Sequence, residues 1–221
     1  AKVFNALETW DYFLQHPVES LISSSGLTFY GGLIVATAIF YFYAKKHKIP
    51  FKHLCDAVAP GLMLAYGVGR FGCHFAGDGD CGIFNSAYVT QPDGGLVLAT
   101  KKSFHEAVHT SAAYFQSLQN FQYKSVVAPS WLPRWVVAMN YPHNVNSDGI
   151  AIAGCTGRYC SVLPVSVFPT ALWEAVTCII LFGVLWSFRK KLKYPWHMFG
   201  LYLVFNGIER FLVETIRVNY K

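Results

Sequence analysis

The sequence predicts an all-α polytopic membrane protein, a helical bundle with an extracytoplasmic head region. Three observations carry that prediction. Of the 221 residues, 53% are hydrophobic and only 14% are charged, against about a quarter charged in an ordinary soluble domain. The apolar residues gather into four runs, at 27–43, 57–76, 171–188 and 199–216. With their flanks these approach the roughly twenty residues needed to cross a bilayer. The basic residues cluster at the ends of such runs, as Lys45, Lys46, Lys48 and Lys52 and again as Arg189, Lys190, Lys191 and Lys193. The net charge of +6 is therefore a positive-inside pattern rather than a polyanion-binding surface, and nucleic acid is excluded as a partner.

The chain opens at Ala1 with no secretory signal pattern, and the native start is expected upstream. Residues 1–25 mix Trp10, Tyr12, Phe13 and Leu14 with Asp11 and Gln15, as an interfacial segment does, until His16-Pro17 breaks it. Ser23-Ser24-Ser25-Gly26 reads as a loop or a helix start. The first span carries no charge. The second has Gly61, Ala65 and Gly69 at every fourth position, a face that lets a neighbouring helix approach closely. Residues 77–168 change character, with frequent glycine, proline and polar residues, and form the head. Within it, 103–121 suits one or two amphipathic helices, and 131–139 an interfacial segment or a strand. The third span ends in Arg189-Lys190-Lys191. The fourth carries Asn206, Glu209, Arg210 and Glu214. Three regions follow: 1–76, an interfacial arm and two spans; 77–168, the head; and 169–221, two spans with an arginine/glutamate stripe.

With both lysine-rich turns in the cytoplasm, Tyr30, Arg70, Asp78, Glu174, Arg210, Glu214 and Arg217 all fall near the outer ends of their helices. Asn206, Arg210, Glu214 and Arg217 are spaced four, four and three apart, one polar stripe at helical pitch. Such a stripe is either a set of mutually neutralising ion pairs or an arginine-lined wall facing a lipid head group, and intramembrane ionisable groups favour the second. The central stretch YGVGRFGCHFAGDGDCG holds Arg70 among Gly69 and Gly72. Arg70 either pairs with Asp78, Glu174 or Glu214, or grips a phosphate through its two-pronged donor set. His74 is a base or a hydrogen-bonded packing residue, and Tyr30 an interfacial anchor unless a catalytic role is supported from elsewhere. Asp78 and Asp80 lack the further ligands of a calcium loop and suit a turn or an arginine partner. Cys155 and Cys160 lie in the head, where an oxidising compartment favours a disulfide; Cys55 and Cys178 suit buried apolar positions.

The segments SSSGLTFYGGLI, YGVGRFGCHFAGDGDCG, VFPTALWEA and GLYLVFNGIERFLVETIRVN, in that order, resemble the bacterial prolipoprotein diacylglyceryl transferases. YPHNVNSDGIAIAGCTGRYC with VFPT is similar to a Bacteroidetes-like branch. The resemblance implies an enzyme of the bacterial inner membrane, multi-pass, with its active side facing the periplasm. It implies transfer of a diacylglyceryl group from phosphatidylglycerol to the lipobox cysteine of a preprolipoprotein, releasing glycerol 1-phosphate without a cofactor. Its partners are then phosphatidylglycerol, the preprolipoprotein signal peptide and the bilayer. Arg70 matches the arginine of the family signature and Arg210 the essential arginine near the C-terminal side, Asp78 stands at the signature glutamate, and Glu214 and Arg217 match the acidic and basic residues that follow Arg210. Tyr30 stands where many members have a proposed catalytic histidine, Cys73 where the signature has asparagine, and Phe168 where the HPTQLYE-type motif has histidine. The family generally has seven spans and four are read here: either the sequence is an excerpt without the first spans and the last, or the resemblance overstates the architecture. The alternative to an active transferase is a family member that keeps the lipid site as a membrane subunit; a transporter is disfavoured by the absence of a repeat and of paired broken helices.

Overall fold

The computed structural model describes residues 10–15, 29–116, 121–192 and 194–217. Seven α-helices are described: α1 (Trp10–Gln15), α2 (Phe29–Lys46), α3 (Phe51–Ala76), α4 (Lys101–Thr110), α5 (Ala112–Gln116), α6 (Thr170–Phe188) and α7 (His197–Glu214). The four expected spans correspond to α2, α3, α6 and α7. Among the described residues, α6 is the one helix long and apolar enough to cross a membrane by length and composition. Charge is the reason the others fall short: α2 ends on Lys45 and Lys46, α3 holds Lys52, Asp56 and Arg70, and α7 holds Glu209, Arg210 and Glu214. Contacts divide the chain into two compact units, 1–57 and 58–221.

In the first unit, α2 presents Leu33, Ile34, Ile39, Phe40 and Phe42 outward. In the second unit, α3 buries Ala59, Met63, Gly67, Arg70 and His74, spaced four, four, three and four apart along one face. Close approach to α6 occurs at Gly67, where a Cβ would stand 3.0 Å from Cys178 Cβ and 3.1 Å from the Ala175 carbonyl. The expected close-packing face was Gly61, Ala65 and Gly69. These three are exposed, with open space around both glycines. The side chains of Met63, Tyr66, Cys178, Leu185, Met198, Tyr202 and Phe205 fill the space between α3, α6 and α7.

An all-α fold does not hold for the head, which is built on a sheet. Strand β1 (Phe84–Thr90) pairs antiparallel with β2 (Leu96–Leu98), parallel with β3 (Tyr123–Lys124) and antiparallel with β6 (Val165–Val167). A second, two-stranded sheet joins β4 (Ile150–Ala151) to β5 (Ser161–Val162). Strand β1 is almost wholly buried, so it lacks the in–out alternation that marks a strand in sequence. Phe84, Phe104, Phe115, Leu163 and Val167 form the head core. Helix α4 carries the amphipathic pattern expected at 103–121 but begins at Lys101, with Thr100 and Ser103 forming a capping box. Residues 131–139 contain a short 3₁₀ turn, Arg134–Val136, and a bridge from Met139 to Val167.

Buried asparagines set the head loops. Asn85 donates to the carbonyls of Val126 and Val137 at 2.8 and 3.0 Å, and its own carbonyl accepts from Val126 and Ala87. Asn144 donates to the carbonyls of Tyr141, Asp148 and Ser161 and accepts the Asp148 N–H at 2.7 Å. The next residue, Val145, donates its N–H to the Ala76 carbonyl at 3.0 Å, which ties this loop to the end of α3. Asn144→Ala leaves several buried groups unpaired and is expected to cost about 2–3 kcal/mol. Thermal unfolding and faster proteolysis within 141–163 are the readouts.

Candidate functional site

Helix α3 ends because Gly77 takes φ +61°, with its N–H on the Cys73 carbonyl at 3.0 Å. This is a left-handed glycine terminus. A Cβ there would lie 2.9 Å from Asn144 Cβ, so the tight turn against the head loop requires glycine. Gly79 follows at φ +90°, and the Asp80 N–H turns back on the Asp78 carboxylate at 3.3 Å. These reversals carry Asp80 back towards Arg70. The segment is then held from two sides. Gly82 donates to the Phe168 carbonyl at 2.9 Å and Ile83 to the Ile216 carbonyl at 2.9 Å, while Thr170 Oγ1 donates to the Asp80 carbonyl at 3.2 Å. The C-terminal end of α3, the start of α6 and the segment after α7 thereby meet at one place.

Four charged groups interlock there. Arg70 donates from Nε to Glu174 and from Nη1 to Asp80, and Arg217 donates to the other Asp80 oxygen. Arg70 and Glu174 are buried, at 7% and 2% exposure. Tyr66, one turn before Arg70, donates its hydroxyl to Glu174 Oε2 at 3.0 Å and accepts from Arg210 Nη1 at 3.1 Å. Arg210 Nη1 itself lies 3.8 Å from Glu174, and the Arg210 side chain is 40% exposed. Arg70 is thus spent on two carboxylates, whereas Arg210 keeps an open flank. Three guanidinium groups thus face Glu174 and Asp80, with the exposed Glu214 at the edge 4.0 Å from Arg217. The open flank of Arg210 is where an anion can be received, and a phosphate suits guanidinium donors best.

The structure brings Arg70, Arg210 and Arg217 together. It differs from the sequence reading at Asp78, which is exposed and caps the turn; Asp80 is the arginine partner. The stripe on α7 is also broken. Glu214 is exposed and lies 4.0 Å from Arg217, which stands beyond the helix end. Asn206 is half-buried one turn below Arg210, and Gly69 and Gly72 face open space. The Tyr30 side chain lies outside the described residues. Tyr66 was legible only as a residue four before Arg70, the spacing of helical neighbours.

His74 is buried with Nδ1 3.2 Å from the Tyr141 hydroxyl. Burial, reinforced by the nearby acidic groups, pushes the Tyr141 phenol well above its ordinary range. The phenol stays protonated, and its hydroxyl and Nδ1 share one hydrogen bond. The burial of His74 and that bond suit its reading as a hydrogen-bonded packing residue. The pair floors an apolar cleft of about 440 Å³ walled by Phe71, Phe75, Trp135, Met139 and Leu172. Phe168, half of the expected motif change, is buried against Trp173.

Cys155 and Cys160 are bonded, Cα atoms 5.6 Å apart, and close the turn between β4 and β5. Burial first, then Asp78 and Asp80, raises the Cys81 thiol far above its usual range, so it is an inert core residue. Among the described residues, the ligand atoms of Cys73, Asp78 and Asp80 lie within 4.8 Å of one another. Asp80 is occupied by two guanidinium groups and Cys73 faces a third contact from Arg70 at 3.7 Å, a poor setting for a cation. His105 and His109 flank Glu106 on α4 at zinc-helix spacing, but both are exposed and Glu106 faces Lys102 at 3.8 Å.

A sequence model of the prolipoprotein diacylglyceryl transferases matches residues 1–221. The chain belongs to that family. Among its relatives, the phosphatidylglycerol–prolipoprotein diacylglyceryl transferase of Chlorobaculum tepidum is 26% identical over 94% of this chain and 54% of its own length. That of Staphylococcus saprophyticus is 26% identical over 99% of the chain and 58% of its own. That of Corynebacterium diphtheriae is 25% identical over 90% and 53%. The chain thus spans little more than half the length of these diacylglyceryl transferases.

Proposed function

We propose that this protein transfers the diacylglyceryl group of phosphatidylglycerol to the lipobox cysteine thiol of a preprolipoprotein and releases glycerol 1-phosphate. The observation that carries the reading is Arg210, a partly open guanidinium held beside the buried Arg70–Glu174–Asp80–Arg217 network. In the reaction the thiol gives its proton to a base on its own side, to water or to the departing phosphate, and the sulfur forms a thioether bond to the glycerol carbon. The carbon–oxygen bond to phosphate breaks, and the electron pair remains on the departing phosphate. Arg210 meets the charge that gathers there, with Arg70 behind it holding Glu174 and Asp80 in place. Tyr66 and Glu174 fix the two guanidinium groups beforehand, so little reorganisation is needed. Tyr30 is assigned to the thiol side of the reaction by its place in the family motif, and the His74–Tyr141 cleft to hydrocarbon.

The setting is the inner membrane, crossed several times. Leu203, Val204, Ile208, Phe211 and Leu212 on α7 and Val176, Ile179 and Ile180 on α6 face outward, apolar surface that lipid covers. With the lysine turns in the cytoplasm, the arginine centre and the head lie on the periplasmic side. The signal peptide and phosphatidylglycerol then reach the centre from the outer leaflet. The test uses the full-length protein in membranes with phosphatidylglycerol and a lipobox peptide. Glycerol phosphate release together with a mass gain on the peptide is expected, and neither with a Cys→Ser peptide. Lipid binding without release would replace the transferase reading with that of a lipid-holding membrane subunit.

A further inference from the structure

Helix α4 reads KKSFHEAVHT, and the proposed reaction makes no use of it. Its inner face is settled: Phe104 is buried in the head core, with Ala107 and Val108 packed beside it. His105 and His109 are exposed. They stand four residues apart, so both rings project from one line along the helix. Both border a single cavity of about 510 Å³, walled by Val108, Phe115 and Phe121. The chain keeps its helical course through Ser111, whose N–H stays on the Ala107 carbonyl at 3.1 Å. Ala112 therefore follows His109 on the same line and borders the same cavity, and its short side chain leaves the space beside the rings open. Among the described residues no hydrogen bond or ion pair ties down either imidazole; His105 makes an edge contact with the Phe104 ring.

Two imidazoles at this spacing on a helix form a two-point chelate for a divalent transition metal. The helix is fixed before any metal arrives, by the Thr100–Ser103 capping box at its start and by Phe104 in the core, so binding has little chain to order. We propose that His105 and His109 form a transition-metal site on the head, taking Cu²⁺ or Zn²⁺ through one ring nitrogen each, with water completing the coordination. Two solvated surface histidines are the plain alternative. Against it stand the common line of the two rings and the one cavity they share. No third His, Cys, Asp or Glu joins the pair among the described residues, and Glu106 faces Lys102 at 3.8 Å. The site therefore holds a metal and does not run the hydrolysis that HEAVH spacing serves when a third ligand and a free glutamate base are present. His109 lies in the last turn of α4, the end at which a helix favours positive charge. A bound cation links two turns there and makes the stability of the head depend on metal. No residue of the arginine centre takes part, so the inference stands apart from the transferase reading.

Imidazole ligands set the metal preference. Cu²⁺ is expected to bind more tightly than Zn²⁺, and the hard cations Mg²⁺ and Ca²⁺ are expected not to compete.

The experiment titrates the full-length protein in nanodiscs with CuSO₄ and, separately, ZnSO₄ by calorimetry, and records electron paramagnetic resonance of the copper form. Wild type is expected to bind one Cu²⁺ more than the double variant His105→Ala/His109→Ala, with splitting from two nitrogen ligands. Either single variant is expected to weaken that site by at least about tenfold, since even a partner behind a metal ligand is worth that much. Combining His109→Ala with Thr110→His keeps the number of histidines but breaks the four-residue spacing, and is expected to bind no better than His109→Ala alone. Metal should raise the unfolding midpoint of wild type and leave that of the double variant where it was. Equal copper binding by wild type and the double variant overturns the inference. So do an unweakened site in His109→Ala, full rescue by the displaced histidine, absence of the nitrogen splitting, or a wild-type midpoint that metal does not move. Glycerol phosphate release by the double variant is expected to match wild type, which separates this test from that of the transferase reading.

Discussion

Arg70→Ala is expected to abolish diacylglyceryl transfer and to destabilise the protein by about 3–5 kcal/mol, the cost of breaking a buried ion pair from one side. The cause is specific. Glu174 is 2% exposed and receives Nε of Arg70, while Asp80 receives Nη1. Removing the guanidinium strands one carboxylate in the packing between helices and loosens the Gly77–Asp80 reversal from the end of α3. Arg217 still holds Asp80, so the loop is weakened rather than freed. Glu174 keeps Tyr66 and gains only the more distant Arg210. Arg70→Lys should recover little, because one ammonium cannot span two carboxylates as a planar fork does. Glu174→Gln should be milder, since it removes a buried charge and leaves Arg70 paired with Asp80. Unfolding midpoints in detergent and glycerol phosphate release in membranes check both halves. Wild-type melting in Arg70→Ala would contradict the buried network; wild-type release would contradict its part in the reaction.

The helices were legible in sequence because hydropathy and charge act over whole segments. α6 and α7 begin within two residues of the runs read from composition, and α3 starts six residues early because Lys52 and Asp56 are polar yet helical. The head sheet was not legible. Its strands are two to seven residues long, and β1 is buried on both faces, so no period of two survives. The arginines were visible because charge inside an apolar run is costly. Their partners were not, because these depend on backbone reversals. Asp78 and Asp80 look alike in GDGD, and only the positive φ of Gly77 and Gly79 sends Asp80 back to Arg70. The polar stripe on α7 hid Glu209 for a similar reason. Counting from Arg210 selects Asn206 and Glu214 on one face, whereas the face packed against α3 and α6 runs through Met198, Tyr202, Phe205 and Glu209. A sequence gives helical pitch but not which face its neighbours choose.

Arg210→Ala is expected to lower transfer by about 10²–10³-fold, the effect of removing one preorganised donor from developing charge, while leaving the fold nearly intact. The contrast with Arg70 follows from exposure. The Arg210 side chain is 40% exposed, lies 3.8 Å from Glu174 and donates to the Tyr66 hydroxyl at 3.1 Å. A partly solvated pair of this kind contributes up to about 1 kcal/mol to stability. Its loss leaves Glu174 still bonded to Arg70 and Tyr66. The kinetic signature distinguishes two uses of the guanidinium. If Arg210 only holds the lipid phosphate, KM rises and kcat is kept; if it answers the charge gained as the carbon–oxygen bond breaks, kcat falls. The phosphate gains a negative charge on leaving, so most of the loss is expected in kcat. Tyr66→Phe should reproduce a smaller part of it, because the hydroxyl that orients Arg210 is removed while the charge stays. Steady-state kinetics on the full-length protein, with melting measured alongside, decide the matter. A stability loss equal to that of Arg70→Ala would make Arg210 a structural ion-pair residue, and an unchanged rate would remove it from the reaction.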